Sequence, residues 1–260
     1  LAGGSVICDL DVDAPDLHIL LSPDIQKQEA FVSGHEARIR PEDCTACGQC
    51  AEVCRFEAVH EKGGVYAIEP LRCEGCKVCV TLCPEQAIDF PERHCGDWYV
   101  SETRFGPMVH AQLFAGEENS GRLVTLLKQQ AKEMARDKGL DCVLCDGAPG
   151  IGCPVISSLS GTHLAVLVTE PTLSGRHDLE RVAQLCEHFR IPVAVIVNKS
   201  DLNEEQTGHI ARFCKEKNYE LVACLPHDSL FTEAMVQRQV VTEYPDAPMT
   251  QALQEAWQRI

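Results

Sequence analysis

The chain has 260 residues, 45% hydrophobic and 24% charged, ordinary globular proportions that exclude wholesale disorder. No apolar run approaches the roughly eighteen residues of a membrane span, no export signal is visible, and a net charge of −16 sets the chain against nucleic acid and anionic lipid. Sixteen cysteines without an export signal point to metal binding in a reducing cytoplasm rather than to a disulfide framework.

In chain order, Ser5–Leu10 is a short apolar run ending in acids. Cys142–Cys145, Leu164–Thr169, Pro192–Asn198 and Leu221–Leu225 are further runs bounded by Asp, Gly, Pro or Asn, and such continuous runs suit strands buried on both faces of a parallel sheet. Helical periodicity separates them. Gly121–Lys138 repeats Leu123, Leu126, Leu127, Ala131 and Met134 before a stop at Gly139. Ser174 is expected to cap a helix running to about Phe189, and Glu204–Lys217 reads as a third helix. The alternation implies an α/β fold with a doubly wound, mostly parallel sheet. A cysteine-rich α+β block interrupts it. The expected organisation is a first core segment at 1–35, an insert at 36–93 and a second core segment at 94–260.

Eight cysteines lie between Cys44 and Cys83 in two copies of C-x2-C-x2-C-x3-C: Cys44, Cys47, Cys50, Cys54 and Cys73, Cys76, Cys79, Cys83. Phe56–Val59 and Glu85–Ile88 repeat after them, so the block is an internal duplication. Three cysteines at three-residue spacing converge on one corner of a cubane, while the fourth is too far along to close the same site. In two-cluster bacterial ferredoxins, which this spacing resembles, the fourth cysteine ligates the other cluster. One 4Fe–4S cluster would take Cys44, Cys47, Cys50 and Cys83, and the other Cys73, Cys76, Cys79 and Cys54. Thiolates are the soft donors such clusters select. Zinc sites would show paired C-x2-C units far apart, not four cysteines in eleven residues twice over. Gly48 and Gly75 would admit backbone NH groups to the cluster sulfurs, Pro84 stops a helix after the second motif, and Arg55 stands where a proline is usual after the first.

The flanks place polar residues at strand ends, where an α/β sheet holds its ligand. Ser5–Leu10 leads into Asp11, Asp13 and Asp16. Asp146 follows a strand and precedes a Gly-Pro-rich loop, as a Mg2+ carboxylate before a switch loop would. Asn198-Lys-Ser-Asp201 is an N-K-x-D pattern whose amide can read a purine edge, and Pro226, His227 and Asp228 close the last strand.

Together, Asp9–His18, the cysteine motifs, Gly116–Gly121, Asp146–Ile156, Thr169–Gly175 with His177–Leu179, and Asn198–Asp201 resemble the MinD/ParA/nitrogenase iron protein class of P-loop ATPases, above all MinD-like ATPases with an inserted two-cluster ferredoxin domain. The resemblance implies that Asp11 is a catalytic or switch acid, that Asp146 is linked to Mg2+, and that Asn198, Asp201, Pro226 and Asp228 lie along bound ATP or ADP. It also matches Cys153 to a position that carries a bridging cluster in the nitrogenase iron protein, whereas its own context reads as a small buried residue opening a helix. The family's glycine-rich phosphate loop should precede Ser5 by one helix, and no G-x-x-x-x-G-K-S/T occurs. Gly3-Gly4 then reads as the turn into the family's second strand, and the sequence is expected to be incomplete at its N-terminus, leaving sheet edges unpaired.

Of the remaining cysteines, Cys142, Cys145, Cys186, Cys214 and Cys224 are expected in the core. His177 and Asp178 read as a surface pair, and Glu117-Glu118 and Glu204-Glu205 as helix-start charges. Two functions follow. One is a cytoplasmic ATPase, a homodimer or a heterodimer with a related ATPase, that couples ATP hydrolysis to electron transfer through two clusters to a redox partner protein. The other is a non-hydrolytic electron relay or cluster-assembly scaffold.

Overall fold

A computed structural model describes residues 4–117 and 120–260; Gly3 of the expected opening turn, and Glu118 and Asn119 of the Gly116–Gly121 stretch, lie outside the described residues. From the N-terminus, β1 (Ser5–Asp9), α1 (Leu17–Leu21) and β2 (Asp24–His35) lead into β3 (Arg38–Ile39), α2 (Gln49–Glu52), β4 (Val59–Lys62), β5 (Val65–Ile68), α3 (Val78–Leu82) and β6 (Ile88–Asp89). Then come β7 (Glu92–Thr103), β8 (Gly106–Leu113), α4 (Ser120–Lys138), β9 (Cys142–Asp146), α5 (Cys153–Leu159), β10 (Ala165–Thr169) and α6 (Leu173–Phe189). The chain ends with β11 (Val193–Asn198), α7 (Glu204–Lys217), β12 (Glu220–Leu225), α8 (Leu230–Val236) and α9 (Pro248–Gln258). Two compact units result. A host unit takes Leu1–Gln28, Tyr99–Ala111 and Ser120–Ile260, and an insert unit takes Glu29–Trp98 and Gln112–Asn119.

The fold is α/β with mostly parallel pairing in the host. β1 is buried throughout and pairs parallel with β8 on one side and β9 on the other, in a sheet ordered β2-β7-β8-β1-β9. β10, β11 and β12 form a second parallel sheet. The helices follow from the apolar spacing. On α4 the residues Leu123, Val124, Leu127, Ala131 and Ala135 form one buried stripe. The Thr172 hydroxyl, not Ser174, caps α6 by accepting from Gly175 N at 2.9 Å, and Asn203 caps α7 by accepting from Gln206 N at 3.0 Å. Leu127 is fully buried, so truncating it to Ala would cost about 2–5 kcal/mol.

The mostly parallel α/β sheet is as expected, its strands hydrogen-bonded in two sets, one ending at β9 and the other beginning at β10. The expectations for several cysteines and for Glu117 are corrected. As an edge strand β9 alternates exposed and half-buried residues, so Cys142 is exposed and Cys145 only half-buried; Cys224 is exposed on β12, and only Cys186 and Cys214 of that group are core residues. Cys153 does open α5, but it is exposed rather than buried. His177 and Asp178 are the expected surface pair, 3.7 Å apart, and Glu204 and Glu205 fill the first turn of α7. Glu117 instead forms an ion pair with Arg93 and is only 11% exposed.

The insert unit repeats its backbone every twenty-nine positions. Short 3-10 turns at Pro41–Asp43 and Pro70–Arg72 precede the cysteine loops, and α2 and α3 follow at matching places. Left-handed residues recur in pairs: Ala46 and Gly75, Gly48 and Lys77, Glu57 and Gln86. Strand pairing obeys the same symmetry. Ile39 opposes Ile88 in the antiparallel pair β3·β6, and their counterparts Ile68 and Val59 oppose each other in β5·β4. A Cβ on Gly75, at φ +59, would lie 2.2 Å from the His35 carbonyl oxygen, so that loop requires glycine.

Candidate functional site

The insert brings the two cysteine motifs together. Cys44, Cys47 and Cys50 line a single cavity with Cys83 of the second motif, closed by Ile39, Tyr66 and Ile88. The fourth cysteine of each motif is held alike: Ala58 N donates to Cys54 Sγ and Ala87 N to Cys83 Sγ, each at 3.4 Å. Both alanines are buried, which is why the repeat keeps the smallest side chain there. On the other side, burial and then the neighbouring Cys73 push the Cys79 thiol up to about 11, with Cys76 and Cys50 adding to the shift. Burial raises Cys50 as well. Ligation has to offset that cost of forming thiolates. Among the described residues, no three His, Cys, Asp or Glu side chains converge closely enough for one metal ion. Four soft thiol donors around one cavity, drawn from both motifs, fit a polynuclear iron–sulfur cluster.

A second group forms at the carboxyl ends of β1 and β9. Their parallel register sets Asp9 beside Asp146, and Leu10 N donates to Asp146 O at 2.8 Å. Asp9 is 2% exposed; its Oδ1 accepts from Asp11 N at 3.1 Å while its buried Oδ2 has no hydrogen-bond partner among the described residues. Burial lifts the Asp9 carboxyl to about 7, opposed by the Asp11 N–H bond and helped by Asp146, Asp16 and Asp11. Burial raises Asp146 too, with Asp16 and Asp11 contributing. Asp9 and Asp146 are a desolvated carboxylate pair with an orphan oxygen, too few to cage a metal ion alone but of the kind that contributes one or two oxygens to a Mg2+ otherwise held by water and phosphate. Asp9, which the sequence placed in the Asp9–His18 motif without a role of its own, is the buried member; Asp11 and Asp146 were expected.

The remaining expected residues end the other sheet. Asn198 closes β11 and its side chain accepts from Lys199 N at 3.0 Å. Asp201 Oδ1 accepts from His227 N at 2.6 Å, tying the β11 and β12 loops together around Pro226, and Asp228 Oδ1 accepts from Leu230 N at 2.9 Å. At the end of β10, Lys199 Nζ meets Glu170 at 2.6 Å, and a Cβ on Gly175 would lie 2.4 Å from Glu170 O. That close approach explains the glycine of Thr169–Gly175. Asp201 and Asp228 thus also brace their own loops.

The 4Fe-4S binding domain family matches twice, at residues 37–60 and 66–89. "Uncharacterized protein MJ0578" of Methanocaldococcus jannaschii is 32% identical over 198 residues, 76% of this chain and 68% of that protein. "Uncharacterized protein MJ0579" of the same organism is 25% identical, over 75% and 65% of the respective chains. The chain thus spans about two thirds of the length of these relatives. The septum site-determining protein MinD of Pyrococcus horikoshii, solved as a complex with Mg-ADP, superposes with a TM-score of 0.56 at 14% identity, over 97% of this chain and 81% of its own. The chain belongs to the MJ0578 family, with a MinD-like fold and an inserted 4Fe–4S ferredoxin domain.

In the MinD-like frame the acids of β1 and β9 and the polar ends of β11 and β12 occupy the strand-end side where an open α/β sheet receives ligands. The described helices include none long and apolar enough to cross a membrane. Register was the signal the sequence hid. Asp9 stands two residues before the acid that the motif emphasised, and only the pairing of β1 with β9 shows that it faces Asp146.

Proposed function

We propose that this MinD-like protein is an ATPase that drives electron transfer through two 4Fe–4S clusters to a partner protein. The observation that carries this reading is the shared cavity in which Cys83 of one motif completes the ring begun by Cys44, Cys47 and Cys50 of the other. Cys54 correspondingly completes the set of Cys73, Cys76 and Cys79. The clusters supply one-electron chemistry when bound. The chain's own residues do the rest: the left-handed loops hold the thiols on one side of the backbone, and Ala58 N and Ala87 N orient the two crossing sulfurs.

In the host unit, Asp146 and Asp9 would hold Mg2+, directly or through water, and Asp11 would orient the attacking water on a bound triphosphate. Asn198, Asp201, Pro226 and Asp228 would border the base. A strand inserted between the open edges of β9 and β10 would unite the two sets of parallel strands, and a glycine-rich loop following it would supply the backbone NH groups that phosphate needs. The functional form is a dimer, with itself or with a related ATPase, in the cytoplasm, and the 36–93 stretch is the cluster-carrying part of the insert unit.

Partner reduction is the test, with chain extended upstream to include a phosphate loop and reconstituted anaerobically. About eight iron and eight sulfide per chain and reduction of an acceptor that requires ATP are expected. Stoichiometric zinc without charge-transfer absorption sinks the cluster assignment. Reduction indifferent to ATP makes the protein a relay, and transfer of iron and sulfide to an apo-protein makes it a scaffold.

A further inference from the structure

The two halves of the insert differ at a partly buried cation, Arg93. Arg93 Nε donates to Glu117, at 3.0 Å to Oε1 and 2.8 Å to Oε2, and its Nη1 donates to the main-chain oxygen of Cys73 at 3.2 Å. The two side chains are 16% and 11% exposed. Twenty-nine positions before Arg93 stands Gly64, which has no side chain, and among the described residues no side chain donates to the Cys44 main-chain oxygen. The other cations near the loops are more exposed: Arg38 beside Glu36, Arg40 shared between Asp43 and Asp89, Arg72 beside Glu69, and Lys77, the counterpart of Gly48, over the Phe90 ring. Solvent screens such pairs, leaving the withdrawn guanidinium as the principal asymmetry.

The orientation of that guanidinium sets the sign. Its Nε edge faces the neutralising carboxylate, and its Nη1 edge faces the carbonyl of Cys73. A positive edge hydrogen-bonded beside a ligand favours the state of a cluster that carries one more electron. Resting on the two-cluster reading above, we infer that Arg93 makes the two sites unequal, so that the cluster of Cys73, Cys76, Cys79 and Cys54 has the higher reduction potential. Arg93 is a positioning residue for electron transfer, and Glu117 tempers it. An electron from a one-electron donor reaches the Cys44 side and comes to rest on the Cys73 side. The donor is oxidised by one electron, the second cluster is reduced by one, and no bond or proton changes hands.

Anaerobic potentiometric titration of the reconstituted full chain, with dithionite as donor and paramagnetic resonance as readout, tests this. Wild type is expected to show two one-electron waves, with Cys76→Ser assigning the upper one by perturbing it alone. Arg93→Gln should move the upper wave down, Arg93→Lys should restore most of the separation, and Glu117→Gln should move the upper wave up. None of the three should move the lower wave. If Arg93→Gln folds poorly, Glu117→Gln still carries the test, because it keeps the guanidinium. Coincident waves in wild type, or equal movement of both waves in the variants, overturn the inference. Iron analysis of the same samples separates two failures. About eight irons with coincident waves overturn the inequality and leave the two-cluster reading standing; a wild-type chain that holds no cluster overturns both.

Discussion

The insert and the host solve the same problem, gathering like-charged ligands at one place, by different means. The insert does it with local backbone shape: a duplicated loop whose left-handed residues recur at fixed positions turns thiols toward a common centre. The host does it by register, setting Asp9 opposite Asp146 although 137 residues separate them, and leaves the buried Asp9 carboxyl without a full set of partners. A site made by local shape tolerates change in its surroundings but not in its loop residues. A site made by register depends on the sheet and its burial.

Removing Cys83 breaks this comparison most directly. Cys83→Ala should cost the cluster held by Cys44, Cys47 and Cys50, about half the iron, while sparing the other and leaving host stability unchanged. Spectra showing that the Cys73 cluster is lost first would make the ligation uncrossed. Next in size is Gly75→Ala, which puts a Cβ against the His35 carbonyl in a left-handed loop and should destabilise the insert by on the order of 3 kcal/mol. Gly48→Ala meets only the Tyr66 hydroxyl, at 3.1 Å, and should cost about 1 kcal/mol. Denaturant titration of the loaded chain, read at the cluster absorption, ranks the two, and equal losses would mean that the loops are not under different constraint.

The host has its own fragile point in Lys128, 6% exposed, whose ammonium donates to the carbonyls of Ser157, Ser158 and Ser160 and to Thr162 Oγ1 beyond the end of α5. Lys128→Met should lower host stability by about 2 kcal/mol without changing iron content, as calorimetry with iron analysis would show. The smallest effect is a pair of opposed pH slopes. The folded-state value of Asp9, about 7, lies above its ordinary value, so the folded chain holds the extra proton and stability falls as pH rises from about 4 to 7. Burial lowers His110 to about 4, so stability is lost as pH falls from about 6.5 toward 4. Each slope is at most about 1.4 kcal/mol per pH unit, and together they offset. Asp9→Asn should unmask the rise with pH and His110→Gln the fall, in urea titrations across this range; slopes that persist unchanged in both variants would refute the attribution.

The sequence showed plainly what repeats or has a period. The cysteine motifs, Ala58 and Ala87, and the helices α4, α6 and α7 could all be read because their signal is local. β2, β7 and β8 escaped. The twelve residues of β2 are nearly all exposed, so they carry no continuous apolar run, and β7 mixes charged with apolar residues. Cys142 and Cys224 looked like core residues because apolar runs do not tell which face or edge is covered. Glu117 looked like a solvated charge, since its partner Arg93 is twenty-four residues upstream in a strand that had not been foreseen.

The short pairing of β3 with β6 has an evolutionary consequence. Arg38 opposes Asp89 in that ladder, and Glu36 N donates to Pro91 O at 3.1 Å, so the polypeptide enters and leaves the cysteine-bearing module at almost the same point. The flanking strands β2 and β7 are already neighbours in their sheet. A module whose two ends lie one strand spacing apart, roughly 5 Å, can be spliced into a connection between neighbouring strands without stretching either of them. A hairpin would then suffice as the ancestral host, and a two-residue turn in place of 36–91 would reverse the acquisition, leaving a redox-silent protein with its strands still in register.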